Sequence, residues 1–265
     1  MTRVIKVGGR PQSDPALITA LARAHASASR AGTGAGIAEG GLVVVHGGGD
    51  EVSTLQRLYG VTAEFRGGRR ITSALDLEII RMALSGAANK RLVSALVSLN
   101  VPAVGLSGED AGMIMARPLA PEQFGFVGAP TDVDSTLLRH LLAAAFLPVV
   151  SPVSRCSDAV VSATLNVNGD DAAAAIAIAM GATELLLVSD VEGVLHAGDS
   201  IATLTPDDAR QLIDEGTAQG GMAAKLQAAI SALDGGVERV RISDIAAIEL
   251  LDRGTVLTRV GSVCA

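Results

Sequence analysis

Short apolar runs recur along the chain, and each is followed by glycine or another turn residue. The clearest runs are residues 4–7, 42–45, 103–106, 147–150 and 185–188. Their length and their content of Val, Leu and Ile predict buried β-strands. Strands that are apolar on both faces are typical of a parallel sheet covered by helices.

Longer segments with apolar residues at helical spacing lie between these runs, with Asp, Ser or Gly near their ends. They predict helices over residues 16–29, 51–59, 74–99, 133–145, 170–180, 206–214 and 222–233. The alternation of strands and helices predicts an α/β fold with a mainly parallel, helix-flanked sheet. In such sheets ligands bind at the carboxyl ends of the strands, so we expect the site there.

Three segments do not fit this alternation. Residues 31–41 are rich in Gly and Ala without clear periodicity, and we interpret them as a flexible connection. Residues 61–72 and 113–127 carry turn signals among scattered apolar positions, and we expect β-hairpins beside the site. No repeat period and no Pro-rich linker divides the chain.

Composition narrows the possible functions. Hydrophobic residues make up 49% of the 265 positions but aromatic residues only 2%, so the core must consist of Ala, Val, Leu and Ile. The net charge of −7 argues against binding to nucleic acid or to an anionic membrane surface, although a local basic pocket can still hold a small acidic metabolite.

Location is predicted from the cysteines and from the lack of targeting segments. Cys156 and Cys264 lie far apart and match no zinc or redox spacing, which favours a reducing compartment. The sequence shows no signal-peptide pattern and no apolar run near the ~20 residues of a membrane span. We therefore expect a cytoplasmic protein.

A lysine interrupts the first apolar run, which then stops at paired glycines: these are Lys6, Gly8 and Gly9. A buried ammonium group is costly unless it is paired. At the end of a strand, beside glycines, it can reach a phosphate that the bare backbone lets approach closely. The alternative is a strand lysine that extends to the surface, and this motif alone leaves both interpretations open.

The second apolar run leads into His46 and three glycines, Gly47, Gly48 and Gly49, before a predicted helix. Successive glycine amides and a helix N-terminus together bind anions such as a phosphoryl group. A tight turn is the alternative, but the partnership with the first motif favours an anion site. We interpret His46 as a structural residue. The chain contains neither a Walker A nor a G-x-G-x-x-G pattern, which disfavours P-loop kinases and Rossmann oxidoreductases.

The densest positive charge in this acidic chain lies at Arg66, Arg69 and Arg70. Guanidinium groups bind carboxylates through two parallel hydrogen bonds. A solvated charge cluster is the usual alternative. The flanking glycines and the following Ile-Thr favour a site for an acidic substrate, with Arg70 as the best candidate.

Polar residues alternate at Asn166 and Asn168 just before an Ala-rich helix that starts with Asp170 and Asp171. Alternation in a strand puts both asparagines on one side. We expect Asp170 to cap the helix or to organise nearby ammonium groups. Capping would explain either aspartate, but it would not explain the asparagines.

Two later motifs place polar turns where a nucleotide can lie. Ser189 and Asp190 follow the fifth apolar run, and Gly220 and Gly221 lead to Lys225. We expect Lys225 on the first turn of a helix, where it can hold phosphate charge and stabilise a transition state. The alternative is a surface lysine on an amphipathic helix.

In their shared order and spacing, these motifs resemble the amino acid kinase family over nearly the whole chain, although each is weak by itself. They are KVGG at 6–9, HGGG at 46–49, RIT at 70–72, NK at 89–90, GLSG at 105–108, NVNGD at 166–170, SDVEGVL at 189–195 and GGMAAK at 220–225. The resemblance implies a three-layer αβα sandwich around a mainly parallel open sheet. Its N-terminal lobe, residues 1–165, would hold the acceptor, and its C-terminal lobe, residues 166–265, would hold ATP, within one continuous sheet.

The activity implied by the resemblance is transfer of the ATP γ-phosphoryl group to the γ-carboxylate of N-acetylglutamate, a step of arginine biosynthesis. Mg²⁺ would be held by the nucleotide phosphates rather than by protein side chains. The acceptor carboxylate is ionised at neutral pH, so no general base is required.

Residue roles follow from the same resemblance. Lys6 and Lys225 would neutralise the transferring group, Asp170 would hold both lysines, and Gly9 and Gly48 would donate backbone hydrogen bonds. The implied substrate contacts are Gly47, Gly48, Gly49, Arg70, Asn166 and Asn168. The implied ATP contacts are Lys6, Gly8, Gly9, Ser189, Asp190, Val191, Gly193, Val194, Leu195, Gly220, Met222 and Lys225.

Four positions depart from the family pattern: Gly169 replaces Ala, Ser189 replaces Thr, Glu109 replaces Lys and Arg69 replaces Leu. The last two change the charge near the acceptor. Carboxylate kinases acting on N-succinylglutamate or on carrier-bound α-aminoadipate therefore stay open, as does an inactive amino-acid sensor. The chain also starts at its first strand without the N-terminal helix of hexameric, arginine-inhibited members, which implies an arginine-insensitive homodimer.

Overall fold

The computed structural model describes residues 1–31, 41–66, 69–158, 164–196 and 198–259. Strands and helices alternate through this part of the chain, which confirms the α/β class. The strands are β1 (Thr2–Val7), β2 (Gly41–His46), β3 (Phe65–Arg66), β4 (Arg69–Arg70), β5 (Ala103–Gly108), β6 (Ile114–Pro118), β7 (Val127–Val133), β8 (Leu147–Cys156), β9 (Thr164–Val167), β10 (Glu184–Val188), β11 (Leu195–His196), β12 (Asp199–Ser200), β13 (Thr203–Leu204), β14 (Arg239–Ser243) and β15 (Thr255–Leu257). The α-helices are α1 (Pro15–Ala31), α2 (Gly49–Leu58), α3 (Ala74–Arg81), α4 (Asn89–Ser98), α5 (Pro121–Phe124), α6 (Thr136–Ala143), α7 (Gly169–Met180), α8 (Pro206–Asp214) and α9 (Gly220–Asp234).

One twisted sheet extends through the described residues in the order β13-β15-β14-β10-β1-β2-β8-β6-β7-β9, and β5 also pairs with β8. The neighbours from β14 to β8 all pair in parallel. Antiparallel pairs lie toward the ends of the sheet, between β14 and β15, β6 and β7, and β8 and β9. The loops after β1, β2 and β10 therefore meet at the carboxyl edge of the central strands.

Side chains of the central strands alternate between two hydrophobic cores. On β1, Val4 packs in a core that includes α7 and α9, whereas Ile5 and Val7 pack in a core that includes α1 and α4. Strands β2 and β10 divide their side chains in the same way. This explains why these strands are apolar at consecutive positions: both faces are covered by helices.

All five strands expected from the apolar runs are present, as β1, β2, β5, β8 and β10. Several boundaries were wrong. Strand β8 continues to Cys156, because its second half pairs with β9 and β6. The helix expected over 133–145 begins at Thr136, because Val133 pairs with Ile114 in the sheet. The helix expected from 222 begins at Gly220.

The long helix expected over 74–99 is divided. Its middle, Met82–Ala88, is a π-helix between α3 and α4. A π-helix bonds i to i+5 and adds a residue to a turn, and apolar spacing of 3.6 residues does not reveal it. Leu84 in this segment lines one of the cavities described below.

Both expected hairpins contain paired strands, although with different bounds. β3 pairs with β4, so that Phe65 lies opposite Arg70. β6 pairs with β7, so the second hairpin extends to Val133, beyond the expected end at 127. Most of the expected flexible connection, residues 32–40, lies outside the described residues, as does Cys264; Cys156 is a buried free thiol. None of the described helices is both long and apolar enough to cross a lipid bilayer.

Candidate active site

Two lysines from opposite ends of the sequence share one buried carboxylate. Lys6 Nζ on β1 lies 2.8 Å from Asp170 Oδ1, and Lys225 Nζ on α9 lies 3.2 Å from Asp170 Oδ2. The three residues are only 4–8% exposed. The first motif therefore holds a buried, paired lysine rather than one that extends to the surface. Lys225 lies on the second turn of α9, not on the first as expected.

The electrostatics of this cluster leave it with excess positive charge. Burial acts to raise the pKa of Asp170, but the charges of Lys6 and Lys225 outweigh it and hold that pKa below its ordinary value. Burial, and then repulsion from Lys6, lower the pKa of Lys225 below that of an exposed lysine. Two ammonium groups thus face one carboxylate, an arrangement that favours the arrival of a further anion.

A cavity of about 240 Å³, here called cavity A, opens above Lys6. Its walls combine the glycine turn after β2, the hairpin of β3 and β4, and the end of β9. The lining residues used below are Lys6, Gly9, Gly47, Gly48, Gly49, Phe65, Arg69, Arg70, Asn166, Asn168 and Asp170. Cavity A therefore offers glycine amides at one end and guanidinium groups at the other.

A second cavity of about 370 Å³, cavity B, lies beside Lys225. It is lined by Gly8, Gly9, Pro11, Gly49, Asp50, Val188, Ser189, Asp190, Val191, Gly221, Met222 and Lys225. Gly9 and Gly49 line both cavities. The two cavities thus meet at two glycines, with one lysine of the cluster lining each of them.

The turn between β2 and α2 requires glycine at one position. Gly48 has a φ of 152°, and a Cβ there would lie 2.7 Å from Leu84 Cδ2. This conformation allows α2 to start at Gly49, which lines both cavities. The first N–H groups of a helix have no partner within the helix and can bind an anion, so the start of α2 stays a predicted anion site.

Arg70 is fixed on several sides where it lines cavity A. Its Nη2 donates to Ser53 Oγ at 2.9 Å and to the Gly49 carbonyl at 3.2 Å, and its Nη1 donates to Gln56 Oε1. The guanidinium lies over the Phe65 ring, 4.6 Å from its centre. The neighbouring Arg69 instead forms an ion pair with Asp171 at 3.2 Å, which joins the hairpin to α7.

The two asparagines have different roles, and of the two roles expected for Asp170 the structure shows the pairing with ammonium groups rather than the capping of α7. Asn168 is the N-cap of α7, because its Oδ1 accepts a hydrogen bond from the Asp170 amide at 2.7 Å. Asp170 is thereby released from capping, and its carboxylate holds the lysines. Asn166 Nδ2 donates to Thr72 Oγ1 at 3.0 Å. Both asparagines line cavity A, so a local structural role does not remove them from the site.

The expected ATP motif is brought only partly to cavity B. Ser189, Asp190 and Val191 line it, together with Met222. Three of the expected ATP contacts in this motif do not: Gly193 packs against Ser200 and Thr255, the Val194 amide donates to Thr255 Oγ1 at 2.8 Å, and Leu195 is half-exposed on β11. Gly220 also lies outside both linings and starts α9 with a φ of 54°.

His46 is structural, as the sequence indicated. Its Nδ1 donates to the Gly47 carbonyl at 2.8 Å, and its Nε2 accepts from Asn89 Nδ2 at 3.1 Å. Burial, followed by the nearby charge of Lys6, lowers the pKa of His46 to about 4, against the opposing effect of the Gly47 carbonyl. With both ring nitrogens occupied, this neutral imidazole holds the glycine turn in place. Asn89 Nδ2 also donates to the backbone carbonyls of Leu106 and Val149, so the asparagine of the motif at residues 89–90 has a structural role.

Sequence reasoning gave no role to three polar residues beside the cavities: Asp50 in cavity B, and Gln56 and Asp76 behind Arg70. Asp50 directly follows the glycine motif already singled out, and Gly221, named with the nucleotide turn, lines cavity B as expected. Gln56 and Asp76 are nearly fully buried polar residues on helices, and each occupies an inward-facing position of its helix where an apolar residue is usual. That mismatch was the signal available in the sequence.

Comparisons with known proteins agree with this geometry. The amino acid kinase family matches residues 1–244. The chain is 39% identical over 258 residues to the acetylglutamate kinase of Roseiflexus sp. strain RS-1, which covers 97% of this chain and 93% of that protein. It is also 39% identical over 257 residues to the acetylglutamate kinase of Chloroflexus aurantiacus strain J-10-fl, covering 96% of each chain. Among solved structures, smu.665 from Streptococcus mutans UA159 superposes with a TM-score of 0.83 at 25% identity, covering 97% of this chain and 98% of that one.

Proposed function

The chain belongs to the amino acid kinase family, and from that premise we propose that it transfers the γ-phosphoryl group of ATP to the γ-carboxylate of N-acetyl-L-glutamate. This is the carboxylate phosphorylation expected from the sequence motifs. The product is an acyl phosphate, and the reaction belongs to arginine biosynthesis. The curated relatives named above match over nearly their whole lengths, so the proposal concerns the complete activity.

The observation that carries the proposal is the meeting of the two cavities above the lysine cluster. ATP in cavity B would extend its phosphates toward Gly9 and Gly49, and the acceptor would enter from cavity A. Phosphoryl transfer needs attacking and leaving oxygens on opposite sides of the moving group. Two cavities that share a glycine boundary provide that geometry.

The lysine cluster supplies the electrostatic part. In a phosphoryl transfer, charge is spread over the three oxygens of the moving group, so fixed positive charge and N–H donors stabilise the transition state. We assign this role to Lys6 and Lys225, with Asp170 holding both in position, and to the amides of Gly9 and Gly48. Because the cluster already carries one more cation than anion, the arriving phosphoryl group balances it.

No proton needs to be removed from the acceptor. A carboxylate is ionised at neutral pH and attacks directly. This agrees with a site in which His46 is occupied by structural hydrogen bonds and has a pKa of about 4.

In cavity A, we assign Arg70 and Asn166 to the α-carboxylate of the substrate, with Asn168, Gly47 and the amides of Gly48 and Gly49 nearby; the Gly47 amide itself donates to the Val7 carbonyl at 2.9 Å. In cavity B, ATP would contact Gly8, Gly9, Ser189, Asp190, Val191, Met222 and Lys225, and its phosphates would reach Lys6 at the boundary with cavity A. The contacts first expected at Gly193, Val194, Leu195 and Gly220 would require a rearrangement of their loops on binding, because these residues lie outside cavity B.

The residues of cavity B are compatible with Mg²⁺ carried by ATP. Within the described ranges, no group of three or more His, Cys, Asp or Glu side chains is placed to hold a metal ion. Mg²⁺ bound to the nucleotide would neutralise part of the phosphate charge. Its retention by the phosphates rather than by side chains stays a prediction.

Four expectations about organisation belong to the same proposal: an αβα sandwich divided at residue 165 into acceptor and ATP lobes, a cytoplasmic location, a homodimer, and insensitivity to arginine. The central strands lie between two helix-covered cores, which supports the three layers. The extension of one sheet through both lobes supports their description as a single unit.

The decisive assay measures ADP release from Mg-ATP with N-acetyl-L-glutamate and traps an acyl phosphate with hydroxylamine. A hydroxamate is expected, whose formation depends on both substrates. Preference for N-succinylglutamate or N-acetylaminoadipate would overturn the substrate assignment. ATP binding without turnover of any of the three would overturn the kinase assignment in favour of a sensor.

A further inference from the structure

Behind Arg70, two buried polar side chains form a chain of hydrogen bonds that ends at the wall of cavity A. Asp76 Oδ1 accepts from Gln56 Nε2 at 2.5 Å, and Gln56 Oε1 accepts from Arg70 Nη1. Gln56 is 1% exposed and Asp76 is 8% exposed. The three residues come from α2, α3 and β4, so the chain joins three elements around the mouth of the cavity.

Asp76 is itself held firmly. It closes a capping box at the start of α3, in which its Oδ2 accepts from the Ser73 amide at 2.9 Å and from Ser73 Oγ at 2.6 Å. Its Oδ1 therefore remains for Gln56. Burial acts to raise the pKa of Asp76, but the hydrogen bonds from Ser73 and Gln56 and the charge of Arg70 hold it below its usual range.

The orientation of the Gln56 amide follows from its two neighbours. A carboxylate only accepts hydrogen bonds and a guanidinium only donates them. The NH₂ group must therefore face Asp76, and the oxygen must face Arg70. If the amide were flipped, its oxygen would face the Asp76 carboxylate and its NH₂ group would face the Arg70 guanidinium. Gln56 therefore has one stable orientation.

A buried amide is costly to the fold unless both of its ends are satisfied. Asp76 satisfies only the NH₂ end of the Gln56 amide. The oxygen end is satisfied by Arg70, which lines cavity A and whose other nitrogen is held by Ser53 and by the Gly49 carbonyl. These contacts fix the guanidinium plane at the cavity wall.

The neutral amide of Gln56 also separates the Asp76 carboxylate from the Arg70 guanidinium. If a carboxylate contacted Arg70 directly, it would neutralise the guanidinium and compete with an incoming carboxylate. With Gln56 between them, Asp76 orients Arg70 without occupying it with a direct ion pair. The guanidinium keeps its positive charge for the ligand.

We propose that Gln56 and Asp76 are positioning residues that set the Arg70 guanidinium for the α-carboxylate of the acceptor substrate. The inference rests on the proposed function, because it names the substrate group that Arg70 receives. Gln56 and Asp76 do not touch the substrate; they act through Arg70.

The test compares two acceptors in the wild type and in Gln56→Met, which keeps side-chain length but loses both polar ends. The acceptors are N-acetyl-L-glutamate and 4-acetamidobutanoate, which has the reacting carboxylate but lacks the α-carboxylate. The variant should lose roughly 10-fold in kcat/KM for N-acetylglutamate, mainly through a higher KM, since one charge-assisted hydrogen bond to Arg70 is removed. Its kcat/KM for 4-acetamidobutanoate and its KM for ATP should stay within about twofold of the wild type.

Ser73→Ala is the matched control, because it weakens the same capping box without breaking the chain to Arg70. It should lower the melting temperature and leave the ratio of kcat/KM for the two acceptors unchanged.

A similar loss of kcat/KM with both acceptors in Gln56→Met, or no loss with N-acetylglutamate, would overturn the inference while leaving the proposed function intact. A wild type that phosphorylates neither acceptor would overturn the proposed function, and this inference with it. If Gln56→Met is insoluble, Asp76→Asn provides the same comparison, since it removes the anion at the far end of the chain.

Discussion

Strand β1 carries a cation toward each of its ends, a buried lysine and a partly buried arginine, and the two charge clusters differ in what their donors contact. Toward the carboxyl end, Lys6 shares Asp170 with Lys225. Toward the amino end and on the opposite face, Arg3 shares Glu184 with Arg241. Both clusters bury one carboxylate among an excess of cations, so composition alone does not distinguish them.

The amino-end cluster has its donors directed into the protein. Arg241 is fully buried, and beyond Glu184 it donates to the backbone carbonyls of Ala247, Leu250 and Arg253 at 2.8–3.0 Å. Arg3 donates to the Ile248 carbonyl at 2.9 Å. These arginines fasten the segment after β14 to the sheet.

The carboxyl-end cluster differs because both of its cations, Lys6 and Lys225, line the two cavities that meet at shared glycines. In the amino-end cluster, Arg3 and Glu184 also line a cavity, but the donors of Arg3 and of the fully buried Arg241 contact Glu184 and backbone carbonyls. A buried charge whose donors all contact protein holds the fold together, whereas one that faces a cavity is available to a ligand. The comparison therefore teaches that the direction of the donors separates a structural cluster from a chemical one.

The largest effect is expected from Lys225→Met. Loss of one of the two cations should lower kcat by roughly 1000-fold, because a preorganised charge at the transition state is removed. Stability should change little, since Asp170 keeps its contact with Lys6. ADP release and thermal unfolding measure the two quantities. Near-normal turnover would refute the role assigned to Lys225.

Glu184→Gln should have the opposite profile. Removing the carboxylate leaves the fully buried Arg241 without its counter-charge, which should lower the free energy of unfolding by about 3 kcal/mol. Urea unfolding measures the loss. The kcat of the folded enzyme should remain within about twofold of the wild type. A large fall in kcat without loss of stability would break the distinction between the clusters.

The contrast between a cation that lines a cavity and one held within the protein can be tested by making one substitution in two places. Arg70→Lys should raise the KM for N-acetylglutamate by about 10- to 100-fold, because lysine cannot form two parallel hydrogen bonds to a carboxylate. Arg241→Lys, the matched change away from the cavities, should lower stability and leave this KM unchanged. Steady-state kinetics on both variants measures the KM for N-acetylglutamate. An unchanged KM in Arg70→Lys would remove Arg70 from the acceptor site.

The smallest effect concerns acid stability. Burial acts to raise the pKa of Glu184, but hydrogen bonds and charge from Arg241 and Arg3 hold it below its ordinary value of 4.5. Its contribution is therefore complete above that value and is lost as the pH falls through the lower folded pKa. In Glu184→Gln, the slope of unfolding free energy against pH below about 4.5 should be shallower by up to about 1.4 kcal/mol per pH unit. Unfolding at pH 3, 4, 5 and 7 measures it, and an unchanged slope would contradict the assignment.

Much of the fold was predictable because the central strands are covered on both faces and so appear as continuous apolar runs. Strand β14 was missed for a related reason. Arg239 and Arg241 interrupt its apolar pattern, and their ion pairs with Glu184 form only because β10 lies beside them. A charged residue in a core strand is recognisable only together with its counter-charge.

The site was predictable as a set of residues but not as contacts. Lys6, Gly48, Gly49, Asp170 and Lys225 were all identified from motifs, and the fold brings them together. The sequence did not reveal that Asn168 caps the helix while Asp170 pairs with the lysines, since both residue types cap helices. The displacement of Gly193 from cavity B was also hidden, because it depends on packing against Thr255.

The sequence by itself determined the strand and helix alternation, the glycine turns and the positions of the charges. These depend on local properties, namely apolar spacing, backbone freedom at glycine and residue chemistry. Only the tertiary structure decided which charges face a cavity and which are satisfied within the protein. Lys6 and Lys225 are separated by most of the chain, and Gln56 reaches Arg70 only because α2, α3 and β4 pack together. Such contacts depend on the path of the whole backbone, which no local pattern of residues encodes.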